Sequence, residues 1–167
     1  CGGTDCQTGL VTDASGVIVG RFTPGNYTVY EVGHTDSSVW NNAYLDKSNM
    51  GVGQAVTVTE GSVATLSITN TWRGKLSVTK TTNTGKNLKG WKFEIRDNTG
   101  ALVETITTDK NGYAESGLLM VGQTYTVREV TGSDAYWAYD TSSESVKIEA
   151  NKTKNVTFEN KHYGRLT

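Results

Sequence analysis

A unit that returns after about 90 residues limits what this chain can fold into more than any other feature. Asn70, Gly74, Lys75 and Leu76 recur as Asn160, Gly164, Arg165 and Leu166, each 90 positions later. The stretch "TDASGVI" at 12–18 returns as "TDKNGYA" at 108–114, and "YTVYEV" at 27–32 returns as "YTVREV" at 125–130. A period of this length suits a small sandwich domain and is too long for a solenoid unit. The repeats place a boundary near 71–74. They predict an incomplete domain over 1–72, a complete one over 73–162 and the start of a further repeat over 163–167. Counting back from Lys80 sets the first strand of unit 1, and with it the second, ahead of Cys1. The chain therefore reads as cut in mid-repeat.

The local pattern predicts an all-β chain. "KLSVTK" at 75–80, "KFEIRD" at 92–97, "SVKIEA" at 145–150 and "NVTFEN" at 155–160 alternate apolar and polar residues, as do the two Tyr-x-Val segments. Turn signals such as Asn98-Thr99-Gly100 and Asn111-Gly112 separate them. Short, evenly spaced strands of this kind predict tandem antiparallel sandwiches, the first lacking its N-terminal strand or strands. No apolar residues recur at helical spacing over several turns. Hydrophobic residues make up 35% of the chain, which is thin for two cores. Small domains with thin cores need covalent or partner support.

Charge and composition exclude several functions. The net charge is −1, with Lys and Arg scattered among Asp and Glu, so there is no basic stripe to follow a phosphate backbone. No apolar run reaches membrane-spanning length. The two histidines, His34 and His162, stand apart, and with no Cys/His cluster the sequence calls for neither metal nor cofactor. No Ser/His/Asp grouping, phosphate loop or carboxylate pair suggests an enzyme. The two cysteines, Cys1 and Cys6, flank Gly2-Gly3 and either close a small disulfide ring or remain thiols. Cys1 as the lipid-bearing first residue of a lipoprotein is a third reading.

The segment "KLSVTKTTNTGKNLKGWKFEIRDNTGALVETITTDKNGYAESGLLMVGQTYTVREV" resembles the Cna protein B-type (SpaA-like, prealbumin-like) domain of Gram-positive surface adhesins and pilins. Three elements carry the resemblance: a first strand ending in Lys80, a Tyr125-Thr126-Val127-Arg128-Glu129 stretch like the pilin E-box, and a last strand closing on Asn160. It covers unit 2, and the rear of unit 1 follows the same pattern. The Ala-Pro-x-Gly that often follows the E-box is replaced here by "GHTD" and "TGSDA". The resemblance implies a spontaneous isopeptide bond in which Lys80 is the nucleophile, Asn160 the electrophile and Glu129 the proton-shuttling acid, which donates to the Asn160 carbonyl and passes a proton to the departing ammonia. Burial disfavours a lysine ammonium and frees its lone pair, while the fold supplies proximity. Alternation supports the assignment, because Leu76, Val78 and Lys80 share a face, as do Tyr125, Val127 and Glu129, and Val156, Phe158 and Asn160.

In unit 1, Glu31 and Asn70 occupy the matching positions without a matching lysine. Lys47 sits in the polar, turn-like "YLDKSN" and is a poor substitute, so no internal bond is expected there unless another chain or a missing segment supplies the strand. The resemblance implies a stalk or spacer of an extracellular, cell-wall-associated protein of a Gram-positive bacterium, with neighbouring repeats as partners. The alternative is a module that binds a glycan or matrix protein through aromatic loops, with Trp40 and Tyr44 in unit 1 and Tyr136, Trp137 and Tyr139 in unit 2.

Overall fold

The computed structural model describes residues 7–164 and 166. Cys1 and Cys6 lie outside the described residues, as do Arg165 and Thr167 of the expected further repeat. The chain divides into two compact units, Cys1–Thr71 and Trp72–Thr167. It is nearly all β.

Unit 1 contains β1 (Gly25–Val29), the single-turn helix α1 (Ser37–Trp40), β2 (Leu45–Asp46) and β3 (Gln54–Val58); β4 (Thr71–Trp72) falls at the division. β1 and β3 pair antiparallel, with Tyr27 opposite Val56. The helix lies in the extra residues that separate Glu31 from Asn70. Asp36 caps it by accepting from the Ser38 backbone N–H at 2.8 Å and from Ser38 Oγ at 2.7 Å, which is how a polar loop holds one helical turn. Among the described residues of unit 1 only Leu45 is a buried hydrophobic. The stretch 62–70, whose counterpart in unit 2 is a ladder strand, belongs to no strand here.

Unit 2 is a complete sandwich of eight strands. They are β5 (Lys75–Thr82), β6 (Lys92–Arg96), β7 (Leu102–Thr107), β8 (Tyr113–Glu115), β9 (Thr124–Glu129), β10 (Trp137–Ala138), β11 (Ser143–Lys147) and β12 (Thr153–His162). One sheet runs β10-β12-β5-β8 and the other β11-β9-β6-β7. All neighbours are antiparallel except β5 and β12, the first and last long strands, which run parallel from Lys75 opposite Thr153 to Thr82 opposite Asn160. Both sheets feed one core. Leu76, Val78 and Phe158 come from one side, Phe93, Ile95 and Val127 from the other, and all six are fully buried. Phe93 and Phe158 meet across the layers at a centroid distance of 5.0 Å.

The "TDKNGY" turn anchors the end of β5. Asp109 Oδ1 accepts from the backbone of Asn111 at 2.8 Å and of Tyr113 at 3.0 Å. The Gly112 carbonyl in turn accepts the Lys80 N–H at 2.7 Å. Gly112 sits at φ 79°, and a side chain there would run into the Lys80 carbonyl oxygen. Gly112→Ala is therefore expected to destabilise unit 2 by at least about 1–2 kcal/mol, the cost of a left-handed non-glycine residue. Urea unfolding of the variant beside the parent chain checks this; equal midpoints would show that the turn does not constrain β5.

Candidate functional site

Alternation carries Lys80, Glu129 and Asn160 into the apolar interior of unit 2. Along β5, Leu76, Val78, Lys80 and Thr82 point inward, and Lys80 is 0% exposed. On β12 the same parity buries Phe158 and Asn160, both at 0%. On β9 it buries Tyr125, Val127 and Glu129. In the parallel register Lys80 lies opposite Phe158, so Asn160 is two positions further along the neighbouring strand and on the same face. Glu129 enters from the opposite sheet, where it pairs with Phe93. The site is a bridge between the sheets at the end of the core.

Glu129 joins the other two. Lys80 Nζ donates to Glu129 Oε2 at 2.6 Å, and Asn160 Nδ2 donates to Glu129 Oε1 at 2.6 Å. The remaining atom of the Asn160 amide, Oδ1, accepts the backbone N–H of Asp140 at 2.6 Å. Sequence reasoning gave Glu129 the Asn160 carbonyl as its target. The structure instead sets Glu129 against the amide nitrogen and gives the carbonyl oxygen to Asp140. Nothing in the sequence pattern marks Asp140, because its contribution is a backbone group held by a turn. The Asp140 carboxylate accepts from Ser142 N–H at 3.0 Å and Glu159 N–H at 3.2 Å. Burial opposes its charge, but these bonds and the nearby Lys80 hold its carboxyl below the usual range.

Burial is also the chief influence on Lys80. Loss of water pushes its ammonium below the ordinary lysine range, although the hydrogen bond and charge of Glu129, and the charges of Asp140 and Glu159, work the other way. An aromatic lid maintains the dryness. Trp91 stands over Lys80, with Nζ 5.0 Å from the ring, and is fixed by an Nε1 bond to the Asn87 carbonyl at 2.6 Å. Trp137 and Tyr139 pack edge-on against Trp91 at 5.1 and 6.0 Å. Trp137 also meets His162 at 4.6 Å. Two of the three aromatic residues considered for ligand binding in unit 2 are thus committed to covering the site, and Tyr136 remains 47% exposed. In unit 1, Trp40 and Tyr44 are half-buried, and Lys47 Nζ sits 5.0 Å from the Trp40 ring.

The matching pair in unit 1 is also brought together. Asn70 Nδ2 donates to Glu31 Oε1 at 2.6 Å, but in an exposed setting. No lysine occurs before Lys47 in the chain.

The fold has a counterpart among known proteins, since residues 74–162 match the SpaA family, a prealbumin-like fold domain. The chain belongs to that family. The SpaA match spans the strands from β5 to β12, and with them Lys80, Glu129 and Asn160. Among solved structures, the chain is similar to the Bacillus anthracis TIE protein at 23% identity, over 65% of this chain and 23% of that one, with a TM-score of 0.45. It is similar to the minor pilin GBS52 of Streptococcus agalactiae at 20% identity, over 68% and 60% of the two chains, with a TM-score of 0.45. The pilus 2b backbone protein of group B streptococcus aligns at 19% identity over 79% and 53%, with a TM-score of 0.44. The chain thus spans between 23% and 60% of the length of these three proteins. No curated protein matches it. Among the described residues no helix is long and apolar enough to cross a membrane.

The depressed ammonium makes stability depend on pH when the lysine is left free. Between the folded and unfolded values the unfolded chain binds more protons, so stability rises with pH across that window, up to the ordinary lysine range. Asn160→Ala, which keeps Lys80 as a free amine, is expected to gain unfolding free energy as pH rises toward the ordinary lysine range. Adding Lys80→Met should flatten the slope. Parallel slopes for the two variants would mean that Lys80 carries no such shift. Trp91→Ala opens the lid, and each unit by which the lysine pKa then rises lowers its neutral fraction tenfold. Any reaction of the Lys80 amine should slow in proportion, as time-resolved mass spectrometry would read.

Proposed function

We propose that the chain is a structural segment of a Gram-positive cell-surface pilin or adhesin, and that unit 2 locks itself with an amide bond between Lys80 and Asn160. The observation that carries this reading is the buried Lys80–Glu129–Asn160 bridge within a SpaA-family domain. The reaction begins with transfer of a proton from the Lys80 ammonium to Glu129 Oε2, which leaves a neutral amine. Its lone pair attacks Asn160 Cγ, and the carbonyl π electrons move to Oδ1, where the Asp140 N–H receives the developing negative charge. Glu129, already bonded to Nδ2 through Oε1, protonates the departing nitrogen. The Cγ–Nδ2 bond breaks, the Nζ–Cγ bond remains, and ammonia leaves. The second proton lost by Nζ returns to Glu129. Each molecule reacts once and is its own substrate, so this is self-crosslinking and not turnover.

The bond would enclose about 80 residues. By analogy with other closed loops it stabilises by about 4–5 kcal/mol. It would also join the strands by which the chain enters and leaves the domain, as a load-bearing stalk requires. The glycan-binding alternative has less support, because Trp137 and Tyr139 already pack on Trp91.

Intact mass tests the proposal. The parent chain is expected about 17 Da below its sequence mass, the loss of one ammonia, with Lys80 and Asn160 in one branched peptide. Lys80→Ala, Glu129→Ala and Asn160→Ala should each restore the full mass and cost unit 2 roughly the loop-closure stabilisation in thermal or denaturant unfolding. A full-mass parent chain would remove the crosslink and leave the fold.

A further inference from the structure

The side chain of Asp140 takes no part in the proposed bond-forming steps, and we propose that it is a positioning residue that holds its own backbone N–H on Asn160 Oδ1. The inference rests on the Lys80–Asn160 reading of unit 2, in which that N–H receives the charge developing on Oδ1. A donor stabilises such a charge only while it stays in place, so whatever fixes residue 140 affects the rate.

The register of the neighbouring strands shows how the donor is held. β10 and β12 pair antiparallel, with Trp137 opposite His162 and Ala138 opposite Lys161. Continued by two residues, this register sets Asp140 opposite Glu159, where an ordinary ladder would exchange two backbone hydrogen bonds. Side chains accept from both N–H groups instead. The Asp140 N–H goes to Asn160 Oδ1 at 2.6 Å, and the Glu159 N–H goes to Asp140 Oδ2 at 3.2 Å. Without the carboxylate, the Glu159 N–H would turn to the Asp140 carbonyl. Closing the ladder in that way would draw the Asp140 N–H toward the Glu159 carbonyl and away from Asn160. Asp140 Oδ1 secures the other side of the turn through the Ser142 N–H at 3.0 Å. The carboxylate thus ties residue 140 to β12, one position before Asn160, and to the residue that precedes β11. Tyr139 packs against Trp91, so the same turn carries part of the lid and the donor. The charge of Asp140 acts in the opposite sense to its geometry. Together with Glu129 and Glu159 it favours the Lys80 ammonium, which is the unreactive form, and the two effects are therefore separable.

The test times the loss of about 17 Da by intact mass in full chain freshly made by cell-free synthesis, at a temperature where circular dichroism shows each variant folded. Asp140→Ala is expected to react roughly 10- to 100-fold more slowly than the parent. Asp140→Asn keeps an oxygen for one of the two N–H groups and should fall between them. Asp140→Ser can still cap the turn through the Ser142 N–H but is too short for Glu159. It should also be slower than the parent, and it decides the matter if the alanine variant does not fold. A role in stability alone predicts the parent rate in folded Asp140→Ala and Asp140→Ser. A role through charge alone predicts that every variant outruns the parent. Either result overturns the proposal, as does an asparagine variant no faster than the alanine one. A parent chain that loses no ammonia removes the Lys80–Asn160 reading and this role with it. A parent that reacts while the alanine and serine variants keep pace removes the role of Asp140 alone.

Discussion

An ammonium and a carboxylate 2.6 Å apart with no exposure to water are expensive to keep in a protein core. Each ion loses several kcal/mol of hydration, and their attraction repays this only if every remaining donor and acceptor is met. In unit 2 they are met. Glu129 uses one oxygen for Lys80 and the other for Asn160, the Asn160 carbonyl takes a backbone N–H, and no buried side-chain polar atom among the described residues is left unpartnered. A well-packed apolar trio would be easier to hold. A core that keeps Lys, Glu and Asn at its end, under an aromatic lid, fits the proposed crosslink better than a purely stabilising role. Conversion to a neutral amide would remove the ion whose burial is so costly, so burial would favour that reaction.

The sheet order decides which strands such a bond can join. β5 and β12 are far apart in sequence but adjacent and parallel, and the chain enters the domain along one and leaves along the other. Tension along the chain would load their ladder in shear. A link from Lys80 to Asn160 would take the force after the first six residues of β5 and return it at the last residues of β12. The loops and the core between the two sheets would then carry none of it. A modest apolar core suffices under those conditions, which fits the composition of the chain.

Much of this could be read in the sequence because strand alternation is a strict code. Once Leu76 and Val78 are inward, Lys80 must be too, and the same parity fixes Glu129 after Val127 and Asn160 after Phe158. The parallel pairing of β5 with β12 and the placing of Glu129 in the opposite sheet could not be read, since both depend on tertiary topology. Nor could Asp140, whose part is played by a backbone N–H. The aromatic loop of unit 2 was ambiguous for a related reason. Exposed and lid-forming tryptophans look alike in a sequence, and only the packing of Trp137 on Trp91 separates them. In unit 1 the repeat pattern predicted an incomplete sandwich, and among the described residues β1 pairs only with β3.

The two units together separate the chemistry of the site from its environment. Both hold the same Asn–Glu hydrogen bond at the same length, and both take it from the same sequence positions of a shared repeat. They differ in water and in lysine. The pair in unit 2 is sealed by β5, by Phe158 and by the Trp91 lid, while Asn70 stands in solvent. An exposed lysine near Glu31 would stay protonated and inert, so supplying an amine would not be enough. In unit 2 the strand that carries Lys80 also helps to exclude water from it, with Trp91, just ahead of β6, standing over the amine. Any reactivity of such a trio would therefore depend on strand pairing and burial as much as on the three residues themselves.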